Sequence, residues 1–174
     1  MHAQHTENYA IDATDDEVGV EICAPMKNVY AIALGIADGL EEATGVPHHN
    51  LKAATFTQAV KEISLLGAAQ GAAEQTAFGL PNVGDLEVTG LSGRNKVYGV
   101  SLGGQKPDEA LAEMERLEQT VEGVSAAGLA QGFVRQHAPD TVEKLPLLSA
   151  VNEVLAGTDK SVQEVIAKAV LPRP

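Results

Sequence analysis

The amino-acid sequence predicts an all-α fold, a single compact domain of about six or seven helices. Two long stretches, 18–40 and 51–78, carry apolar residues at helical spacing or on every side of a helix. Short segments rich in Gly, Pro, Thr and Asn separate the helical stretches, and such segments form turns. No segment alternates apolar and polar residues for the length of a strand. These three observations favour packed helices over any fold that contains a sheet.

The composition is typical of a globular chain that buries its own core. The 174 residues are 44% hydrophobic, which suffices for one domain, and only 3% are aromatic, so Ala, Val, Leu and Ile must fill the core. The net charge is −12 and the 12 Lys and Arg residues are dispersed, which argues against nucleic acid as a partner. The single cysteine, Cys23, lies in an apolar run and indicates a buried thiol in a reducing compartment, so we expect a cytoplasmic protein.

The sequence divides into a short lead-in and one helical domain. Residues 1–16 are polar and acidic, and we interpret them as a tail or extended lead-in that is neither a signal peptide nor a membrane anchor. Residues 17–174 form the helical domain. No uninterrupted apolar run reaches the roughly 18 residues of a membrane span, so we expect no membrane helix. No G-x-G-x-x-G follows a strand, so the sequence predicts no Rossmann domain.

Each predicted helix follows from its apolar pattern and its end signals. The acids at 15–17 complement the dipole of a first helix over 18–40, which is apolar on every side and therefore buried. A turn over 41–50 leads to the second helix, 51–78, which ends where 79–82 interrupts the pattern. The frequent glycines of 83–104 predict a loop with short helical turns. Four further helices are predicted over 107–120, 122–137, 147–156 and 161–170.

Lys27 requires an explanation, because it lies within the apolar stretch 18–40 and burying an unpaired ammonium is costly. Pro25 stands two residues earlier, so the helix either begins near Pro25 or kinks there. Both geometries would place Lys27 near a helix N-terminus, whose dipole would lower the pKa of the lysine and suit it to acid–base catalysis. The alternative is a lysine at the solvated edge of a partly exposed helix.

A cassette of polar and small residues occupies 84–95. Its members are Asp85, Thr89, Gly93, Arg94 and Asn95. Arg94 offers a forked donor that suits phosphate, and Gly93 lets a ligand approach the backbone at the start of a helix. Asp85 is placed to accept a bond from a hydroxyl or to orient Lys27. The alternative leaves Asp85 as a helix cap, Thr89 as a turn residue and Arg94 as a surface charge.

Four segments, in this order, are similar to NAD(P)-dependent glycerol-3-phosphate dehydrogenases: MKNVYAIALGIADGL (26–40), VGDLEVTGLSGRN (83–95), QTVEGV (119–124) and PLLSAVNEVLAG (146–157). The resemblance covers about 17–171 and corresponds to the C-terminal, substrate-binding domain of that family. It implies a multi-helix fold similar to the C-terminal helical domain of 6-phosphogluconate dehydrogenase.

The resemblance implies a role for each residue that matches the family pattern. Lys27 would be the catalytic acid–base, which gives a proton to the ketone oxygen of dihydroxyacetone phosphate as hydride arrives from the nicotinamide. The substrate, glycerol 3-phosphate in the reverse direction, would be held by Asn28, Asp85, Thr89, Gly93, Arg94 and Asn95. The cofactor, NAD or NADP, would be contacted by Arg94, Thr120 and Glu122.

Some positions depart from the family pattern. Gly93 replaces a frequent Ser, Thr120 a frequent Val, Gln58 a usual Arg, and Pro25 a usual Ala. Because the family's Rossmann domain is missing from this sequence, the resemblance implies a partner of that kind and little activity without it. The choice between NAD and NADP depends on that domain and is not predicted.

Other functions stay open at this point. The chain would alternatively be a non-catalytic interaction domain derived from the same family, with exposed apolar helix faces that form a homodimer. A third interpretation is the helical domain of a hydroxyacid or sugar-acid dehydrogenase, although those domains lack the cassette as it stands here. An excised domain, the product of a split gene and a relative without catalysis all agree with the sequence. His48 and His49 are adjacent and cannot face one site, so we expect no metal.

Overall fold

The computed structural model describes residue 11 and residues 13–171, and these residues form helices without a strand. The α-helices are α1 (Glu17–Thr44), α2 (His49–Ala69), α3 (Glu74–Phe78), α4 (Asp85–Ser92), α5 (Arg94–Leu102), α6 (Pro107–Arg116), α7 (Glu122–His137), α8 (Pro146–Leu155) and α9 (Val162–Val170). A π-helical turn, Leu80–Gly84, joins α3 to α4, and a 3-10 turn, Pro139–Lys144, joins α7 to α8. The all-α prediction is confirmed, whereas most of the predicted lead-in, 1–16, lies outside the described residues.

Helix α1 is the centre of the fold. Asp16 caps its first turn by accepting a hydrogen bond from Gly19 N at 3.0 Å, and Gly45 ends it with a left-handed φ of 70°. Every residue over 29–37 is buried, because α2, α4, α5, α7, α8 and α9 pack against this helix. The predicted burial on every side is therefore confirmed for 29–37. The helix continues to Thr44 rather than ending at 40.

Pro25 does not interrupt α1. The helix starts at Glu17 and continues through Pro25, so Lys27 lies ten residues beyond the first helical residue. The prediction that Pro25 brings Lys27 to a helix N-terminus is wrong. Pro25 removes only the backbone bond to Glu21, and both residues are exposed, so water can satisfy the carbonyl that is left free.

The stretch 51–78 forms two helices rather than the one predicted. Helix α2 ends at Ala69 because Gly71 adopts a left-handed φ of 83°, and α3 follows at Glu74. Asp16 fixes α3 beside the start of α1, since its carboxylate accepts from Thr76 Oγ1 at 2.5 Å and from Ala73 N at 2.9 Å. The bond from Thr76 and those from the backbone lower the pKa of Asp16.

The glycine-rich stretch 83–104 is helical, which corrects the predicted loop. Gly99 in this stretch and Gly35 in α1 lie where α5 and α1 touch through their backbones. A Cβ atom at Gly99 would lie 2.1 Å from Ile32 O, and one at Gly35 would lie 2.3 Å from Lys96 O. These glycines therefore permit close helix approach, and they do not mark a loop.

The later helices follow the prediction closely. Helix α6 ends at Arg116 rather than at 120, because Glu118 takes a left-handed φ of 56°. Helix α7 has the predicted bounds, and α8 and α9 begin or end within one residue of them.

The buried carboxylate of Glu62 joins α2 to α1 and α8. It accepts hydrogen bonds from Tyr30 OH at 2.7 Å and from the backbone N–H groups of Leu147 and Leu148 at 2.6 and 2.9 Å. The two backbone donors belong to the first turn of α8, which has no capping side chain of its own. Glu62 thus acts as a long-range cap for that helix.

Candidate functional site

Lys27 and Asp85 form an ion pair between α1 and α4. Lys27 Nζ donates to Asp85 Oδ2, and Thr89 Oγ1 makes a long contact of 3.5 Å with Asp85 Oδ1. The side chains of Lys27 and Asp85 are 23% and 41% exposed, so a ligand from solvent can reach both charges. Lys27 is therefore paired, and Asp85 orients the ammonium rather than capping α4.

Asn28 and Asn95 join α1 to α5. Asn95 Nδ2 donates to Asn28 Oδ1 at 3.0 Å, and Asn95 Oδ1 accepts from Gly123 N, near the start of α7, at 2.8 Å. Asn95 is only 4% exposed, whereas Asn28 is half-buried and lines a surface groove. Three helices therefore meet at one pair of carboxamides beside Lys27.

Arg94 and Glu122, the first residues of α5 and α7, form a second ion pair. Arg94 Nη2 donates to Glu122 Oε1 at 2.5 Å, and both side chains are about half exposed. Gly93 precedes α5 and contributes no capping side chain, so a ligand can approach the first backbone N–H groups of that helix. An anion would meet a guanidinium with further donors and the positive end of a helix.

The Asn28–Asn95 bond brings the two cationic segments of the predicted site together. Lys27 precedes Asn28 and Arg94 precedes Asn95, and consecutive residues lie about 3.8 Å apart along the chain. The backbone segments that carry both charges therefore lie side by side. Of the other predicted residues, Thr120 lies exposed in the connection before α7.

An apolar groove extends from this cluster between α1 and α7. Its volume is about 800 Å³, and Asn28 and Glu122 are among its lining residues. Most of the remaining lining is apolar and includes the exposed side chains of Val18, Leu129 and Phe133. The prediction that apolar helix faces are exposed is confirmed here.

The sequence alone does not predict two features of this region. The groove requires α1 and α7 to be neighbours, which no local pattern indicates. The role of Gln58 also depends on the tertiary structure. Its Nε2 donates to Glu62 Oε1 at 2.8 Å one turn further along α2, and Glu62 is buried against α1 and α8. The departure from Arg and the spacing to Glu62 were visible in the sequence, but the burial of Glu62 was not.

Comparisons with known proteins agree with this architecture. A family model for the C-terminus of NAD-dependent glycerol-3-phosphate dehydrogenase matches residues 16–167. The glycerol-3-phosphate dehydrogenase (NAD(P)+) of Fusobacterium nucleatum is 39% identical over 151 residues, which cover 85% of this chain and 42% of that protein. The NADP(+)-dependent glycerol-3-phosphate dehydrogenase of Archaeoglobus fulgidus is 37% identical over 152 residues, which cover 86% of this chain and 44% of that protein. The chain thus spans less than half the length of these relatives.

Solved structures give the same result. The crystal structure of glycerol-3-phosphate dehydrogenase from Coxiella burnetii matches with a TM-score of 0.80 and 30% identity, covering 97% of this chain and 49% of that one. The structure of DsGPDH from Dunaliella salina has the same fold, with a TM-score of 0.76, 23% identity, and coverage of 98% of this chain and 30% of that one. Because the family model matches most of its length, the chain belongs to the family of C-terminal domains of NAD-dependent glycerol-3-phosphate dehydrogenase.

Proposed function

We propose that this chain is the substrate-binding and acid–base half of a cytoplasmic glycerol-3-phosphate dehydrogenase. The whole enzyme would reduce dihydroxyacetone phosphate to sn-glycerol 3-phosphate with NADH or NADPH. The proposal rests on the solvent-accessible Lys27–Asp85 pair, which lies beside the Asn28–Asn95 bond that joins α1 to the Arg94 helix. Membership of the family supports the same reaction.

Lys27 would act as the general acid. Its ammonium carries the proton at Nζ, and the ion pair with Asp85 holds that group in place. The ketone oxygen would take this proton as negative charge develops on it, which leaves a neutral amine that Asp85 continues to orient. In the reverse direction the amine would take the proton from the 2-hydroxyl of glycerol 3-phosphate. The nicotinamide cofactor, when bound, supplies or accepts the hydride.

The remaining residues of the cluster would bind and orient the substrate. Arg94 would meet the phosphate, since a guanidinium with several free N–H groups suits its oxygens. The backbone at Gly93 and the first N–H groups of α5 would add donors there. Thr89 and Asn28 would hold the polar groups of the three-carbon chain close to Lys27.

The exposed ends of α5 and α7 fit a dinucleotide. Arg94 is accessible enough to contact a cofactor phosphate, and Glu122 offers an acceptor for a ribose hydroxyl. Thr120, exposed just before α7, would add a weaker contact. Most of the cofactor contacts would belong to the partner domain.

We assign the groove between α1 and α7 to that partner, a Rossmann domain. The chain spans less than half of its relatives, and the groove includes Asn28 and Glu122, so a domain seated there would reach the candidate site. The same exposed apolar lining also supports a second candidate function, a non-catalytic homodimerisation domain.

Ligand binding and reconstitution test the proposal. Millimolar glycerol 3-phosphate should shift NMR signals within 84–95, and the chain mixed with a matching dinucleotide-binding half should oxidise NADH with dihydroxyacetone phosphate. Lys27→Met should lower that rate by at least about 100-fold, because it removes the proton donor. Glu153→Gln, which removes a charge from exposed contacts with Lys160 and Thr158, is the control and should change nothing. An absence of shifts within 84–95 would reject substrate binding, and a homodimer that ignores the ligand would favour the second function.

A further inference from the structure

The groove between α1 and α7 has two walls of equal length. Residues 17–28 of α1 line one side and residues 122–133 of α7 line the other. Each wall therefore spans eleven residue steps, about 16 Å or three helical turns. The walls are antiparallel, because Gly123 lies against Asn28 at one end and the far ends line the same groove. A groove of this length matches about three turns of a third helix.

Apolar side chains line the groove at helical spacing. Val18, Ile22 and Met26 contribute from α1, four residues apart, and Leu129 and Phe133 contribute from α7 with the same spacing. Rows of apolar side chains one turn apart are how a groove holds the apolar face of an amphipathic helix. A bound strand would instead need a free sheet edge for its backbone hydrogen bonds, and the described part of the chain contains no strand.

The charged residues that line the groove are all acidic. Glu17 and Glu21 lie one turn apart on the α1 wall, and Glu122 begins the α7 wall. Glu122 is paired with Arg94. Glu17 and Glu21 are exposed, and the ion pairs of the described residues do not include them. A helix in the groove would therefore be favoured by Lys or Arg along its edge towards α1.

A second copy of this chain does not supply such a helix. Within the α-helices of the described residues, five of the Lys and Arg side chains are paired with carboxylates. The others are Lys61, Arg135 and Lys168, one each on α2, α7 and α9. None of these α-helices therefore carries two unpaired Lys or Arg residues. The net charge of −12 would also oppose the approach of a second copy.

We propose that the groove holds a single α-helix of the partner Rossmann domain, about three turns long, with an apolar face and with Lys or Arg along its edge towards α1. A Rossmann domain carries helices on both faces of its sheet, so such an element is available. One end of this helix would lie beside Asn28 and Glu122, where the groove meets the candidate site. That the helix belongs to a Rossmann domain rests on the proposed function, whereas the length, lining and charge of the groove do not.

Two synthetic peptides test the shape and charge of the groove. Each has about 14 residues, is held helical by a side-chain cross-link and carries leucine along one face; one edge is lysine in the first and glutamate in the second. The 174-residue chain should bind the lysine peptide about tenfold more tightly in titration calorimetry. NMR signals of both walls, 17–28 and 122–133, should shift, since a bound helix contacts both. Equal affinities, no binding, or shifts elsewhere would overturn the proposal.

A matched pair of variants separates a local contact from the overall negative charge. Glu21→Gln removes a carboxylate from the α1 wall and should weaken binding of the lysine peptide about threefold, as the loss of one exposed ion pair does. Glu42→Gln removes the same charge at an exposed position of the same helix outside the groove, and it should leave the affinity unchanged. Equal weakening by both variants would show attraction to the net charge alone and would reject the groove as the site.

Reconstitution distinguishes this proposal from the proposed function. If the lysine peptide binds between the two walls but the chain forms no active dehydrogenase with a matching Rossmann half, the proposed function fails and the helix-binding groove stands. If the reconstituted enzyme is active but the lysine peptide does not bind, the groove proposal fails and the function stands. A homodimer whose contacts lie in the groove would also reject the proposal, because a second copy would then be the occupant.

Discussion

The buried carboxylate of Glu62 relies on neutral hydrogen-bond donors. Tyr30, Gln58 and two backbone amides of α8 surround it, and burial raises its pKa although these hydrogen bonds lower it. Position 58 usually carries Arg in the family that the sequence resembles. The replacement by Gln58 removes a cation from the immediate surroundings of Glu62.

Restoring that cation should stabilise the protein in a pH-dependent way. Because the folded-state pKa of Glu62 lies above its usual 4.5, wild type loses stability as the pH rises from 4.5 through the folded-state value. The guanidinium introduced by Gln58→Arg would lower the pKa of Glu62 and so restore part of the stability that wild type loses. We expect a gain of about 1 kcal/mol near pH ~7 and almost none below pH ~4, measured by urea unfolding.

The control for this prediction is Thr57→Arg, which adds the same charge at the neighbouring exposed position. That variant should leave the free energy of unfolding nearly unchanged at every pH. A gain for Gln58→Arg that does not depend on pH would contradict the role given to Glu62.

The candidate site shows how far single residues can be predicted. Lys27, Asp85 and Arg94 stand out in the sequence, because a lysine within an apolar helix and a polar cassette are unusual patterns. The buried state of Asn95 and the polarity of its bond to Asn28 are not predictable in this way. The polarity depends on Gly123 N–H, which lies 28 positions from Asn95.

At the scale of helices, α1 and α5 cross in direct backbone contact because glycines, which have no side chain, occupy the crossing. Gly99 and Gly35 allow the two backbones to touch, and this contact aligns Asn95 with Asn28. The sequence predicts a loop over 83–104 because glycine is frequent both in loops and at close helix contacts. The two cases differ in whether a second helix packs against the glycines, and a local sequence pattern does not show that helix.

Gly99→Ala should therefore destabilise the fold. The new methyl group would lie 2.1 Å from Ile32 O, a backbone atom that cannot move aside, and we expect a loss of about 2–3 kcal/mol in urea unfolding. Gly128→Ala in α7 is the matched control, because no atom lies within 4 Å of its added Cβ. It should stabilise the protein by about 0.5–1 kcal/mol, since alanine favours a helix. Equal effects of both variants would show that helix propensity, and not contact, determines the result.

At the scale of the whole molecule, apolar surface is unevenly distributed. Helix α1 is long and apolar enough to cross a membrane. However, 61% of its apolar segment is buried inside the domain, and this burial accounts for the apolar composition of the helix. The groove between α1 and α7 keeps apolar side chains in contact with solvent. The all-α architecture was predictable from helical periodicity, but this groove was not, because it combines segments that are distant in sequence.

A charge placed in the groove should block the partner domain. Leu129→Asp would put a carboxylate on an exposed apolar lining position, and burying that charge against a partner is costly. We expect at least a tenfold weaker association with a matching Rossmann half, about 1.4 kcal/mol, by titration calorimetry. Val46→Asp, on an exposed apolar residue outside the groove, should leave association unchanged. Equal weakening by both variants would place the interface elsewhere.

The three hydrogen bonds that the Asp16 carboxylate accepts indicate where a shortened version of this domain should begin. They come from Gly19, Ala73 and Thr76, so one carboxylate both starts α1 and anchors α3. A shortened version that begins at Glu17 would lose both the cap of α1 and the hydrogen bonds that hold α3 beside it. Any graft of this domain onto another protein should therefore keep residue 16 with the helical part and place the junction upstream of it.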